Sequence, residues 1–267
     1  MFAVCAVLTG LLLGVTADQY DLRHRFTEGD TLTYSLKLVA RDTEELPTVL
    51  AGYAAGLWEV KLTVESVTPD QTQIRVSRVT RELPAEVLSS IPKDLIPPLK
   101  EAKNVVAVVH GDGSVTVEGD SGSLGDIRGW LRYFLVPGLP SRPVSTGHGW
   151  QERYQAPDGA SVVTQTFKYR FVGPEVTEGL ECYRLNVEAG SKDLHASIGA
   201  AGGEGSTTIT FQPSRRLVYF LARDDGRVLR VMGMDTVNAT VRTPEGREKV
   251  KWTTVVSVHL DDVEHKK

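Results

Sequence analysis

The sequence predicts an α+β protein, predominantly β: a curved antiparallel meander sheet, half-barrel-like, with a few short helices packed on one face. Three observations predict it. Apolar residues recur with period two from Tyr34 to Leu260, turn signals containing Gly or Pro separate the runs at short spacing, and helical spacing clusters near 84–136. Period-two runs with one apolar face belong to antiparallel sheets covered on one side. The gaps are mostly too short for the crossover helices of a parallel sheet.

Taken in order, Tyr34, Leu36 and Leu38 alternate with Ser35 and Lys37, and Trp58, Val60, Leu62 and Val64 alternate with Glu59, Lys61 and Thr63. Pro69-Asp70 marks a reversal into Ile74 and Val76. Val105–Val109, His110-Gly111-Asp112-Gly113 and Ser114–Glu118 read as a hairpin, since turns with φ > 0 need Gly. Between them, Val87, Leu88, Ile91, Leu95 and Leu99 keep helical spacing, cut into short pieces by Pro92, Pro97 and Pro98. Ser123 with Asp126 can cap a second helix, whose Leu124, Ile127, Leu131, Phe134 and Leu135 share one face before Pro137-Gly138 stops it. Leu46 to Gly56 carries mixed signals.

Strand alternation then returns in Phe167/Tyr169/Phe171, Tyr183/Leu185/Val187, Leu217/Tyr219/Leu221 and Trp252/Thr254/Val256/Val258/Leu260. Asp158-Gly159, Asp225-Gly226 and Pro244-Glu245-Gly246 supply the turns. Gly190 to Gly205, rich in Gly, reads as a flexible loop. It lacks the following Lys and helix of a phosphate-binding loop. No internal repeat is evident.

Met1 to Ala17 carry no charged side chain, and Val15-Thr16-Ala17 offers a small-residue cleavage pattern. Cleavage after Ala17 would leave 267 − 17 = 250 residues as one β-rich domain, 18–267, with its helical insert near 84–136. The expectation is an exported protein, periplasmic or extracellular, with no stable transmembrane span after signal cleavage, because a span needs about 20 apolar residues. The leader lacks a basic residue before Arg23, so an uncleaved anchor or a buried first strand stays open. Cys5 has no lipobox before it, and with the leader removed Cys182 is the only thiol.

Composition narrows the function classes. Thirty basic against thirty-four acidic residues give a net charge of −4, which does not suit a nucleic-acid surface. Two Cys exclude a disulfide framework. The six His show neither His-x-His nor His-Glu-x-x-His spacing, so no metal site and no cofactor are expected. Gly119-Asp120-Ser121-Gly122 resembles the nucleophile string of trypsin-like proteases, and Gly-Asp-Ser with a late Asp262-x-x-His265 is similar to one class of esterases. The context argues against both. His24 lacks the surroundings of a protease base, the parallel sheet of such esterases is missing, and His265 sits three residues from the end. A serine esterase using Ser121 is therefore only a lesser alternative to a non-catalytic protein. Aromatics that could line an apolar cleft are Trp130, Phe134, Phe167, Tyr169, Phe171 and Tyr219; ordinary core packing accounts for the same pattern.

Several segments together resemble a family of exported bacterial β-rich proteins of unknown function. They are Phe26 to Tyr34, Gly111 to Val115, Leu139-Pro140-Ser141-Arg142-Pro143-Val144-Ser145-Thr146-Gly147-His148-Gly149-Trp150, Tyr169 to Gly173 with Cys182-Tyr183, and Gly203-Glu204-Gly205 before Thr207–Phe211. The resemblance implies no catalytic residue and no cofactor. Its fold is loosely similar to the half-barrels that carry or sense lipoproteins in the bacterial envelope, an analogy of fold. The functional expectation is a protein of the cell envelope that binds a lipid or other apolar ligand, or an envelope protein. The alternative is an interaction or scaffold module using an exposed strand edge or the Gly190–Gly205 segment.

Overall fold

The computed structural model describes residues 18–41, 56–82, 105–118, 131–158, 161–191, 194–198, 207–243 and 246–265. Twelve strands form one antiparallel sheet: β1 (Thr31–Arg41), β2 (Gly56–Val67), β3 (Gln71–Glu82), β4 (Val106–His110), β5 (Val115–Glu118), β6 (Gly149–Asp158), β7 (Ser161–Thr177), β8 (Leu180–Ser191), β9 (Leu194–Ile198), β10 (Thr207–Ala222), β11 (Val228–Thr243) and β12 (Gly246–Glu264). The neighbours run β5-β4-β3-β2-β1-β12-β11-β10-β8-β7-β6, and β9 pairs with β10 beyond the end of β8. Two meanders, β1 to β5 and β6 to β12, are thus sewn together where β1 lies beside β12 from Thr31↔Glu264 to Arg41↔Thr253. The sheet is open, with β5 and β6 as its edges.

Those edges nevertheless meet at one residue. The Gly138 N–H donates to the Gly113 carbonyl of the β4–β5 turn at 2.7 Å, and the Glu152 side chain of β6 lies against Gly138. A flat sheet of eleven strands would hold its edges about 48 Å apart at the usual strand spacing. The sheet is therefore curled. Register shifts in the β1–β12, β2–β3, β7–β8 and β10–β11 pairs supply the extra twist that such curling needs.

Alternation decides what the curl encloses. On β12 the burial pattern flips at every residue from Val250 to Val258, and β1, β2, β7, β8 and β10 point Tyr34, Leu36, Trp58, Val60, Leu62, Phe171, Leu185 and Leu221 into the same core. Two non-strand segments cover this inner face. The N-terminal one contributes Leu22, and the β5–β6 connection contributes Leu131, Tyr133 to Val136 and Leu139, all at most 5% exposed. Each such side chain stabilises the fold by roughly 1.5–3 kcal/mol. The two segments are tied to one another by paired hydrogen bonds between Tyr20 and Val144 (2.8 and 2.9 Å), and to the sheet by Arg25 N–H to Asp225 O at 2.7 Å.

Several expectations are met by the backbone. The strands around Tyr34, Trp58, Ile74, Phe167, Tyr183, Leu217 and Trp252 form, as do the hairpin at 105–118 and the turn at Asp225-Gly226. Others change. Among the described residues the protein is all-β, so the α+β expectation is corrected to a β-sheet. Of the helix expected from Ser123, the described remainder is one turn, with Phe134 and Leu135 N–H both bonded to Leu131 O before Pro137-Gly138 breaks the run. The helical spacing of 84–103, the Leu46–Gly56 segment up to residue 55 and the leader 1–17 lie outside the described residues. Gly190 to Gly205 is not wholly a loop. Gly190 and Ser191 end β8 and Leu194–Ile198 form β9, because a short period-two run hides among the glycines. No helix among the described residues is long and apolar enough to cross a membrane.

Candidate functional site

Trp130 lies outside the described residues. The other five aromatics singled out in the sequence, Phe134, Phe167, Tyr169, Phe171 and Tyr219, are at most 4% exposed and sit in the main core. Phe134 packs on Tyr34 with ring centroids 5.0 Å apart, Phe171 meets Tyr20 and Tyr183 edge-on, and Tyr169 stacks with Trp150 of β6 and with Phe167 of its own strand. The Tyr219 hydroxyl donates to the Arg132 carbonyl at 3.0 Å, tying β10 to the covering segment.

What sequence reading missed is a polar row across the inner face. Along β8, β10, β11, β12 and β1, the directly paired residues Ala189, Arg215, Asp235, Thr254 and Ala40 form one line. Arg215 Nε lies 3.0 Å from Asp235 Oδ2, and the Tyr133 hydroxyl donates to the same oxygen at 2.7 Å. The Arg215 guanidinium also stands over the Tyr133 ring. Burial pushes the Tyr133 hydroxyl well above its ordinary pKa, so it remains a donor. Asp235 Oδ1 is buried without a hydrogen-bond partner.

The adjacent residue carries the network toward the β6 edge. Arg132, 6% exposed, donates to Gln165 Oε1 at 2.8 Å and lies 4.4 Å above the Phe167 ring. Beside it, the buried Tyr169 hydroxyl faces the Glu152 carboxylate, and Trp150 Nε1 is buried with no hydrogen-bond partner among the described residues. Burial raises the Glu152 carboxyl, while the Arg132 cation works in the opposite direction. Orphaned polar atoms of this kind cost stability and call for an explanation.

Beyond the polar row the inner face becomes apolar again. Ala239, Val241, Val250 and Trp252 form a second buried cluster, joined by Phe211, Val237 and Ala40, and it is separate from the main core. Phe211 and Trp252 meet edge-on with centroids 6.2 Å apart. Trp252 was legible as a strand residue, but its cluster was not. Grouping it with Phe211 requires the pairing of three strands, Phe211↔Ala239↔Val250.

The residues weighed for catalysis are arranged differently from the serine-esterase pattern. Ser121 lies outside the described residues. His265 Nδ1 is 2.8 Å from Asp30 Oδ1, whereas Asp262 Oδ1 accepts the N–H of its neighbour Val263. The acid at His265 is thus Asp30, 7% exposed; His265 itself lines a groove of about 620 Å³ together with Thr31, Thr63 and Glu264. Cys182 is fully buried with its thiol directed at the Glu175 carbonyl at 3.4 Å, and burial pushes its pKa up, away from thiolate chemistry. Among the described residues no group of three or more His, Cys, Asp or Glu is placed to hold a metal.

No protein-family model matches the chain, and no curated protein matches it.

Proposed function

We propose that this chain is an exported, non-catalytic binding protein of the cell envelope that holds an apolar ligand on the inner face of its curled sheet, in the manner of a half-barrel. The observation that carries the reading is the second apolar cluster. A fold needs only one core, and the main core here is already closed by the two covering segments. Yet β10, β11 and β12 run on for 16, 16 and 19 residues, well past the usual strand length of about 5–6. Their extensions carry Trp252, Val250, Val241, Ala239 and Phe211 beyond a polar row. That sequence of surfaces, apolar then polar, suits an amphiphile whose chain lies on the cluster and whose polar end meets Arg215, Asp235 and Thr254. Ligand sites are characteristically apolar with a few placed polar groups.

The scaffold alternative finds less support at the sheet edges. β5 has only four residues, and β6 places Glu152 on its inward face, both features that oppose addition of a foreign strand.

The test is titration with a pyrene-labelled long-chain fatty acid, together with native mass spectrometry of gently purified protein. The expected result is saturable uptake that Trp252→Asp weakens at least about tenfold, a change of about 1.4 kcal/mol. Far-UV circular dichroism serves as the folding control. A bare mass together with absence of uptake would sink the reading.

A further inference from the structure

At one end, the outer face of the same three strands carries charge of one sign. Arg242, Arg247, Lys249 and Lys251 are exposed there, around a groove of about 630 Å³ that also includes Asn238 and Thr240; no carboxylate lines it. Arg242 stands directly opposite Arg247 in the β11–β12 pairing. Like charges placed opposite each other across a ladder are destabilising. Elsewhere several arginines are matched by acids: Arg75 with Glu65, Arg184 with Glu175, Arg223 with Glu181, and Arg230 with Glu178. Among the described residues these four cations have no such partner, in a chain whose net charge is −4. The patch is thus a local concentration of positive charge, and the Arg242–Arg247 pairing within it carries a cost.

We infer that this outer face of β10, β11 and β12 docks on an anionic membrane surface. Side chains at alternate positions of one strand stand about 7 Å apart, so Arg247, Lys249 and Lys251 form a row of separate cations. A single phosphate is best held by donors that converge on it. A row of separate cations instead meets an array of headgroups, each contact adding to attraction by the surface potential. The inference stands apart from the ligand reading, which concerns the opposite face.

The experiment is sedimentation of the full chain with phosphatidylcholine vesicles containing about 30% phosphatidylglycerol, compared with pure phosphatidylcholine. The expected result is binding to the anionic vesicles at about 50 mM salt, release at about 500 mM, and no binding to the neutral ones. Lys249→Gln combined with Lys251→Gln should weaken binding by about 30-fold, and Lys249→Glu with Lys251→Glu by more. Equal binding to neutral vesicles, no binding to anionic ones, or an unchanged charge-reversed variant would overturn the inference. Capture by soluble heparin without vesicle binding would overturn it too, in favour of a soluble polyanion. The lipid and salt comparisons use the unaltered chain, so they decide the matter even if a variant fails to fold.

Discussion

His24 illustrates how one buried nitrogen couples folding to pH. Its Nε2 lies 3.2 Å from the Val136 carbonyl, its ring stacks on Phe26, and the Gly226 backbone is a second polar neighbour. Burial lowers its pKa from 6.5 to about 4. The folded state therefore resists a proton that the unfolded chain accepts, so this group's contribution is complete above about 6.5 and is lost as pH falls toward about 4. The loss is bounded at roughly 3 kcal/mol. Asp225 works in the opposite sense, because burial raises its carboxyl. Comparing urea midpoints of the unaltered chain and His24→Gln at two pH values isolates the His24 share: the drop between about pH 7 and about pH 4.5 should shrink in the variant. An equal drop in both proteins would remove His24 as the cause. Asp235 is the second decisive residue. Asp235→Ala leaves the Tyr133 hydroxyl and the Arg215 guanidinium without their shared acceptor, and should cost roughly 2–4 kcal/mol in denaturant unfolding.

At the scale of elements, turns and segment crossings hold the sheet in its curl. Gly113 has φ 85° and packs against the Leu139 backbone so closely that an added Cβ would overlap it. Gly113→Ala is expected to combine a left-handed backbone penalty with a forced displacement of the covering segment, lowering stability by roughly 2 kcal/mol or more. Thermal unfolding measures it; a variant as stable as the unaltered chain would mean that the segment yields freely. The Asp-Gly signal at 112–113 was readable because local turn chemistry is encoded locally. β6 and β11 were harder to read for an equally definite reason. β6 turns Glu152 inward beside Trp150, and β11 interrupts its apolar face with Gly233 and Asp235, so neither shows clean alternation.

At the scale of the whole molecule, one core ties the two meanders together. Val64, Ile74 and Ala107 from the first belong to the same cluster as Phe171, Leu185 and Val258 from the second. Tryptophan fluorescence and far-UV circular dichroism should therefore report coincident urea midpoints. Two separated transitions would show that the meanders fold independently. A ligand on the second cluster should raise the common midpoint with increasing ligand concentration, since it binds only the folded chain.

The sequence by itself determined most of the antiparallel strands, several of their turns and the inward-facing residues along them. Each of these follows from period-two patterning or from backbone chemistry within a few positions. Tertiary structure decided that β1 joins β12 across more than two hundred residues, that the edges curl to meet at Gly138, and that Asp30 takes His265. It alone placed Arg215, Asp235 and Thr254 in one row, with a separate apolar cluster beyond it and a cluster of cations on the reverse. Side chains brought together by pairing between distant strands leave no local trace in the chain, because alternation says which face a residue takes and not which strand will lie beside it.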